Sequence, residues 1–242
     1  MKNSSLLTRP APSLNASREF ALPELVDLQA LRARRQAPWV NSSAKRAMDL
    51  AFTLLLLPLA LPLFVLLPLA ILLESPGPIF FLHRRLGQNG SVFWMFKFRT
   101  MVDGADRILS KLLDSDPEAR QEFAENYKLK NDPRVTRLGR FLRRSSLDEL
   151  PQIINVLKGD ISWVGPRPIV VSEIKKYGRH AAGLLRMKPG ITGLWQANGR
   201  SDLPYENRVR LDMQYMEKAS IWLDCKIMLR TVLVVIKRTG AI

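Results

Sequence analysis

The sequence contains few of the residues that build disulfide frameworks and most transition-metal sites. Its 242 residues include one cysteine, Cys225, and two histidines, His83 and His180. A single cysteine excludes an intramolecular disulfide framework and a cysteine-based zinc site. Neither G-x-x-x-x-G-K nor G-x-G-x-x-G occurs, so the two common glycine-rich phosphate-binding loops are also missing.

Acidic residues are scarce relative to basic ones. Lys and Arg number 37 against 22 Asp and Glu, which gives a formal charge of +15. Such an excess calls for an anionic partner, whether nucleic acid, an acidic membrane surface or a phosphorylated substrate. Because acidic residues are interleaved throughout and no nucleic-acid-binding module is recognisable, we expect no nucleic-acid partner. The length allows one or two domains with a sizeable core.

Residues 1–44 form a polar and basic arm. Leu25, Leu28 and Leu31 recur at helical spacing ahead of several arginines. This pattern is typical of an amphipathic helix on anionic lipid and equally of an ordinary surface helix. The arm lacks the apolar core of a secretory signal, so we expect none.

One long apolar run, residues 50–73, carries no charge over 24 positions. A helix of that length can cross a hydrocarbon core of about 30 Å. Pro58, Pro62 and Pro68 interrupt it, and each removes a backbone hydrogen bond. Basic residues flank both ends, whereas a spanning helix usually shows a marked asymmetry. The pattern fits a broken helix that returns to the face it entered, and it also fits a kinked spanning helix.

The remainder of the chain alternates short strand-like and helical segments. The predicted elements are strands at 78–82 and 92–98 around a turn at 87–90, helices at 103–113, 117–130, 135–144 and 151–157, a strand at 161–165, a helix around 172–186 and a C-terminal helix at 221–238. Charges along the last helix favour a position in the membrane interface or against the domain over a membrane span.

Alternation in the second strand places Lys97 and Arg99 on one face and Phe96 and Phe98 on the other. Two cations projecting from a rigid strand suit a diphosphate, and a solvated strand face explains them as well.

Two adjacent carboxylates, Asp148 and Glu149, follow a basic run that includes Arg143 and Arg144. Ser146 and Glu149 have the spacing of a helix capping box. That motif would place both carboxylates in the first turn of a helix, where backbone N–H groups and the helix dipole favour anions. In isolation the pattern needs no role beyond capping.

Six short motifs occur in order between Lys45 and the C-terminus. They are Lys45-Arg46-x-x-Asp49, Phe96-Lys97-Phe98-Arg99-Thr100-Met101, Asp132-Pro133-Arg134-Val135-Thr136, Ser146-Leu147-Asp148-Glu149-Leu150-Pro151-Gln152, Val164-Gly165-Pro166-Arg167-Pro168 and Pro189-Gly190-Ile191-Thr192-Gly193. In this order they resemble the motifs of the bacterial sugar transferases, also called monotopic phosphoglycosyltransferases.

The resemblance implies an α+β, mainly helical, monotopic membrane protein. It would have a re-entrant membrane helix at 45–73 and a catalytic domain at 74–242, on the cytoplasmic face of the bacterial inner membrane. Larger family members carry an N-terminal bundle of membrane spans, so we expect the short architecture here. Leu61 stands where the family often has a serine before the proline at position 62, which leaves the angle of the re-entrant turn open.

The same resemblance implies the reaction. A UDP-sugar would donate hexose-1-phosphate, from galactose or glucose, to undecaprenyl phosphate, and UMP would leave. This is the first membrane step of exopolysaccharide, capsule or O-antigen synthesis. The expected partners are the UDP-sugar, undecaprenyl phosphate and membrane lipid, and a homodimer is compatible with the resemblance. Alternatives that use the same features are a Mg²⁺-dependent diphosphate hydrolase and a non-catalytic membrane-bound binding or scaffold protein.

Roles for individual residues follow from the family's motifs. The Asp of the Asp-Glu pair is the nucleophile and the Glu helps to hold Mg²⁺, which assigns Asp148 and Glu149 as catalytic residues and metal ligands. A carboxylate can divide one transfer into two steps, and Mg²⁺ prefers oxygen ligands. The expected phosphate contacts are Lys97, Arg99, Arg143, Arg144 and Arg167. The residues assigned to the lipid or membrane segment are Lys45, Arg46, Asp49 and Pro62.

Overall fold

The computed structural model describes residues 36–126, 129–198 and 203–236. Predictions for the N-terminal arm before residue 36, including the Leu25–Leu31 helix, lie outside these ranges. In chain order the α-helices are α1 (Ser43–Glu74), α2 (Ala105–Ser115), α3 (Pro117–Asn126), α4 (Arg137–Ser145), α5 (Gln152–Lys158), α6 (Ala181–Leu185), α7 (Tyr205–Lys218) and α8 (Ile221–Ile236). The strands are β1 (Phe80–Leu86), β2 (Val92–Phe98), β3 (Ser162–Val164) and β4 (Gly190–Thr192). The mainly helical α+β prediction is therefore confirmed.

Helix α1 runs through the apolar segment without interruption. Its 32 residues include Pro58, Pro62 and Pro68, so the prolines do not divide it into two helices. Within the described residues, α1 is the helix long and apolar enough to cross a membrane by length and composition. Leucines and valines project from it into open space, as at Leu59, which is 73% exposed. Such a surface would be unfavourable in water and suits lipid.

The N-terminal half of α1 is fixed to protein by polar contacts. Lys45 Nζ lies 2.5 Å from Asp224 Oδ2, and both side chains are buried. The hydroxyl of Ser162 donates to Asp49 Oδ1 at 2.9 Å, and Arg46 donates to two carbonyls of α5. Lys45 and Asp49 are therefore buried in protein contacts, and their assignment to the lipid or membrane segment stays a prediction.

The C-terminal half of α1 packs against the same domain. Leu67 lies in an apolar cluster with Phe98 of β2 and Leu142 of α4. The Glu74 carboxylate accepts the backbone N–H of Leu138 at 3.1 Å. Both ends of the long helix are thus held by one and the same domain.

Strands β1 and β2 form an antiparallel hairpin around Gln88–Gly90. The predicted second strand is confirmed at both ends, whereas the first begins at Phe80 and extends to Leu86. Cross-strand partners share a face, and the register pairs Phe81 with Lys97 and His83 with Met95. Side chains of these pairs line the main cavity.

Helices α4 and α5 dock on β2 and the residues that follow it. Asn155 of α5 is fully buried, donates to the carbonyl of Trp94 at 2.7 Å and accepts the N–H of Phe96 at 3.0 Å. The N–H of Thr136 donates to the carbonyl of Thr100 at 3.1 Å, which fixes the start of α4. The turn that joins α4 to α5 is consequently placed beside the end of β2.

The rest of the domain is built around the largest apolar cluster. Helices α6, α7 and α8 supply much of it, and β3 and β4 pair in parallel at its edge. The predicted single helix at 172–186 is wrong. A 3₁₀ segment at Val171–His180 precedes the short α6, because Gly178 adopts φ 48° and ψ −129°, which no α-helix accommodates.

Candidate active site

Asp148 and Glu149 lie in a 3₁₀ turn, Leu147–Glu149, between α4 and α5. The predicted capping box is absent, since the side chain of Ser146 makes no capping hydrogen bond. Ser146 instead ends α4 with φ 57°, the left-handed conformation that commonly terminates helices. The chain therefore reverses sharply just before the two carboxylates and presents them at the tip of a tight turn.

The carboxylates line a cavity of about 1140 Å³. Among the described residues that line it are nine lysines and arginines and only three carboxylates. The cavity draws on the β1–β2 hairpin, α4, the Pro166-Arg167-Pro168 turn and the region of β4. A concave, strongly cationic site of this size is suited to a ligand that carries phosphates.

Lys97 lies between the two carboxylates. Its Nζ is 2.5 Å from Glu149 Oε1 and 3.7 Å from Asp148 Oδ2. This contact confirms that Lys97 faces the site from β2, as the strand alternation predicted. Glu149 receives a close hydrogen bond, whereas Asp148 receives only a longer ionic contact from this lysine.

The two carboxylates differ in exposure. The Asp148 side chain is 13% exposed, against 36% for Glu149. Burial raises the pKa of Asp148 to about 6, and the nearby charge of Glu149 acts in the same direction, while Lys97 and Arg143 oppose the shift. A desolvated carboxylate with a raised pKa is a better nucleophile than a solvated one once it is ionised.

Arg143 and Arg144 approach the turn from α4. Arg143 Nε donates to Thr100 Oγ1 at 2.9 Å, and its two Nη atoms donate to no described residue. Its charge interacts with that of Asp148. Arg144 lines the cavity with an exposed side chain. Both arginines line the cavity that holds the carboxylates, and their contact with phosphate stays a prediction.

Arg99 has a different role from the one that alternation suggested. Its guanidinium donates to the carbonyls of Ser75 and Pro76, just beyond the end of α1. Arg99 also borders the cavity, and these two donor groups hold the chain that follows α1. Arg99 therefore has a positioning role, and its contact with phosphate stays a prediction.

Arg167 lines the cavity from the turn between Pro166 and Pro168. Two further cavity residues were not predicted from the sequence. Arg167 projects from its turn with an exposed side chain, while Pro166 and Pro168 on either side are buried. From β1, His83 and Arg85 line the same cavity. In a strand that extends past residue 82, the two-residue spacing of Phe81, His83 and Arg85 places all three side chains on one face. The sequence did not indicate this because the strand was predicted to end at residue 82.

The carboxylates fit a magnesium ion only in part. Within the described ranges no three His, Cys, Asp or Glu side chains cluster closely enough to hold a metal. Glu149 and Asp148 already share one cation, Lys97 Nζ, so their oxygens converge on a position suited to positive charge. Mg²⁺ is often held by one or two carboxylates together with substrate phosphates and water. Asp148 and Glu149 supply that partial set.

Taken together, these side chains can bind an anion of high charge, offset that charge with several cations and attack it with a buried carboxylate. His83 is the histidine that lines the cavity among the described residues. Burial and the charges of Arg85, Lys97 and Arg167 lower its pKa to about 4, so it is a weak general base at neutral pH. The chemistry that the site favours is phosphoryl transfer.

Comparison with known proteins agrees with this chemistry. The model of the family described as bacterial sugar transferase matches residues 40–238. The chain is 41% identical over 236 residues to the undecaprenyl-phosphate galactose phosphotransferase of Salmonella typhimurium, covering 96% of this chain and 48% of that protein. It is 40% identical over 218 residues to the exopolysaccharide production protein ExoY of Rhizobium meliloti, covering 90% of this chain and 93% of that protein.

A third relative carries the name of a glucose enzyme. It is the UDP-glucose:undecaprenyl-phosphate glucose-1-phosphate transferase of Escherichia coli, 41% identical over 201 residues, 80% of this chain and 40% of that protein. The chain thus spans about half or less of the length of the Salmonella and Escherichia relatives. Because the family model covers most of the chain and includes the whole cavity, the chain belongs to the bacterial sugar transferase family.

Proposed function

We propose that the protein transfers hexose-1-phosphate, from galactose or glucose, from a UDP-sugar to undecaprenyl phosphate. The observation that carries the proposal is the pair Asp148 and Glu149, presented at a turn inside a cationic cavity. The names of the relatives, which include galactose and glucose phosphotransferases acting on undecaprenyl phosphate, support it. Such a reaction is the first membrane step of exopolysaccharide synthesis.

The transfer proceeds in two displacements at phosphorus. A carboxylate oxygen of Asp148 attacks the phosphorus that bears the sugar, the bond from this phosphorus to the UMP oxygen breaks, and UMP leaves with the electron pair. An oxygen of undecaprenyl phosphate then attacks the same phosphorus and releases the Asp148 carboxylate. Lys97 and Arg143, which flank Asp148, offset charge on the phosphoryl oxygens.

Magnesium belongs to this proposal as a cofactor held by Glu149 and Asp148. When bound, the ion supplies positive charge that polarises the diphosphate oxygens. Lys97 Nζ, which contacts both carboxylates, would then be available to contact substrate phosphate.

We further propose that α1 enters the inner membrane from the cytoplasmic side and returns to it. Polar contacts hold the first half of α1 against the domain, and apolar contacts hold the second half against the same domain. A helix that crossed the bilayer would place its two ends on opposite sides of the membrane. Cysteines introduced at Asn41 and Pro76 in a Cys225→Ser background should be labelled from the same side of sealed vesicles. Labelling from opposite sides would contradict the proposal.

A transfer assay tests the proposed activity. The full chain in detergent, with Mg²⁺ and UDP-galactose or UDP-glucose, should release UMP only when undecaprenyl phosphate is added, and the lipid should gain hexose phosphate. Release of sugar-1-phosphate without the lipid would indicate a diphosphate hydrolase instead. No turnover with any UDP-sugar would favour a binding or scaffold protein.

The pH dependence of kcat/KM should report the ionisation of Asp148. Since the attacking form is the carboxylate and its pKa is about 6, the rate should rise with pH up to about 6 and level off above it. Lys97 lowers this pKa, so Lys97→Met should move the acid limb to higher pH in addition to slowing the enzyme. Lys111→Met, on the exposed face of α2, should leave the limb in place. An unshifted limb in Lys97→Met would contradict this role.

A further inference from the structure

Arg85 is a buried cation in the wall of the cavity. Its side chain is 11% exposed, and it shares the cavity face of the hairpin with His83 and Lys97. The transfer steps above give it no role. Burying a guanidinium carries a large desolvation cost, which a strong compensating contact must offset.

The contacts that Arg85 makes within the protein are weak. Its nearest carboxylate oxygen is Glu173 Oε2, 3.7 Å from Nη1 and therefore beyond hydrogen-bond distance. Nη2 lies 3.3 Å from His83 Nδ1, which must accept because arginine has only donors. The buried Nε has no partner among the described residues. Buried arginines normally satisfy these donors, so this one is arranged for a ligand.

A second guanidinium, that of Arg167, lines the same cavity. The charge of Arg167 interacts with Arg85 and, together with burial, lowers the pKa of Arg85 to about 10. Arg167 forms no hydrogen bond or ion pair with any described residue. Two like charges held near each other in a partly desolvated site repel, and a bound anion relieves that repulsion. Two planar forks suit two adjacent phosphates.

Arg85 and Arg143 reach the cavity from different elements, β1 and α4. Arg85 interacts with the charge of Glu149, whereas Arg143 interacts with that of Asp148. Arg143 belongs to α4, whose Leu142 packs against the membrane helix. A phosphate on a lipid would therefore approach Arg143, which leaves the cations of β1 and of the turn at Arg167 for the soluble substrate.

We propose that Arg85 and Arg167 bind the diphosphate of the nucleotide-sugar donor and that His83 positions Arg85 for this contact. The proposal rests on the proposed function. It names which cations serve the donor, and it adds Arg85, which the sequence motifs did not indicate, to the phosphate contacts.

Binding and kinetics together test this assignment. Arg85→Gln and Arg167→Gln should each weaken the binding of UDP, measured by calorimetry without turnover, by about tenfold to a hundredfold. The KM for the UDP-sugar should rise to a similar extent, while the KM for undecaprenyl phosphate stays within about twofold of wild type. Arg85→Lys should recover only part of the loss, because an ammonium lacks the guanidinium fork.

Arg84→Gln is the matched control. Arg84 is the neighbouring residue on the opposite face of β1, 5.5 Å from the ring centre of Trp94, and its replacement should leave UDP binding unchanged. Arg167→Gln alters an exposed side chain, so it keeps the test valid if Arg85→Gln fails to fold.

Two results would overturn the assignment while the proposed function stands. These are wild-type affinity for UDP in both glutamine variants, or a rise in the KM for undecaprenyl phosphate alone. Failure of the wild-type protein to bind UDP or to transfer a sugar would overturn the proposed function and this inference together.

Discussion

Replacing Asp148 by asparagine should reduce turnover by at least about a thousandfold, because the amide cannot attack phosphorus. The change is nearly isosteric, and the ionic contact of Asp148 with Lys97 is 3.7 Å long, so the turn at Leu147–Glu149 should persist. UMP release in the presence of undecaprenyl phosphate is the appropriate measurement. Binding of UDP should change little, since that contact is assigned to other residues.

Asp114→Asn provides the control for this variant. Its side chain is 86% exposed and lies outside the cavity, so the substitution should leave turnover at the wild-type value. If Asp148→Asn retained more than about a tenth of the wild-type rate, Asp148 would not be the nucleophile. Its role would then be limited to electrostatics or metal binding.

Replacing Asp224 by asparagine should destabilise the protein by about 3 to 5 kcal/mol. Its carboxylate is fully buried and accepts from Trp39 Nε1 at 2.8 Å, Lys45 Nζ at 2.5 Å and the Tyr215 hydroxyl at 2.8 Å. The amide would deprive the buried ammonium of Lys45 of its ion-pair partner and leave it only the charge of Asp49. The change should appear as a lowered unfolding midpoint in detergent and as earlier loss of activity on heating.

Asp114→Asn serves as the control here too, because its ion pair with Arg120 is exposed and about 4.0 Å long. Removing it should change the free energy of unfolding by less than about 0.5 kcal/mol. Lys45→Met combined with Asp224→Leu should be less destabilised than Asp224→Asn alone, since the ammonium is removed together with its anion and Asp49 keeps its hydrogen bonds from Ser162 and Trp163. A wild-type midpoint for Asp224→Asn would mean that the buried pair does not anchor α1.

Local sequence patterns predicted the features that depend on neighbouring residues. The alternation of Phe96 to Arg99 placed Lys97 toward the site, and the turn signals located the β1–β2 hairpin. The order of six motifs identified the family, which the family comparison confirmed. Asp148 and Glu149 were likewise found from their own motif and lie together in the cavity.

Contacts between distant segments could not be predicted in the same way. The spacing of Ser146 and Glu149 fits a capping box, but the helix that precedes Ser146 ends there in a left-handed turn. Strand alternation places Arg99 on the same face as Lys97, yet its guanidinium donates to the carbonyls of Ser75 and Pro76, just after α1. Nothing near Lys45 in the sequence indicates that its partner is Asp224, 179 residues away.

The position of Arg85 illustrates the same limit. Its place on the cavity face depends on how far β1 extends and on its register with β2. Its proximity to Arg167 depends on the packing of a turn more than eighty positions later in the sequence. Residue types could suggest that arginines bind phosphate. Only the fold shows that Arg85 interacts with the charge of Glu149 and Arg143 with that of Asp148.

The mass of the intact protein tests the central claim most directly. The wild-type chain is mixed with UDP-galactose or UDP-glucose and Mg²⁺ in the absence of undecaprenyl phosphate. We predict a hexose-phosphate adduct that maps to Asp148, disappears in Asp148→Asn and is discharged when the lipid is added. Turnover with the lipid but no adduct with either UDP-sugar would contradict the covalent mechanism and indicate direct transfer between the two substrates.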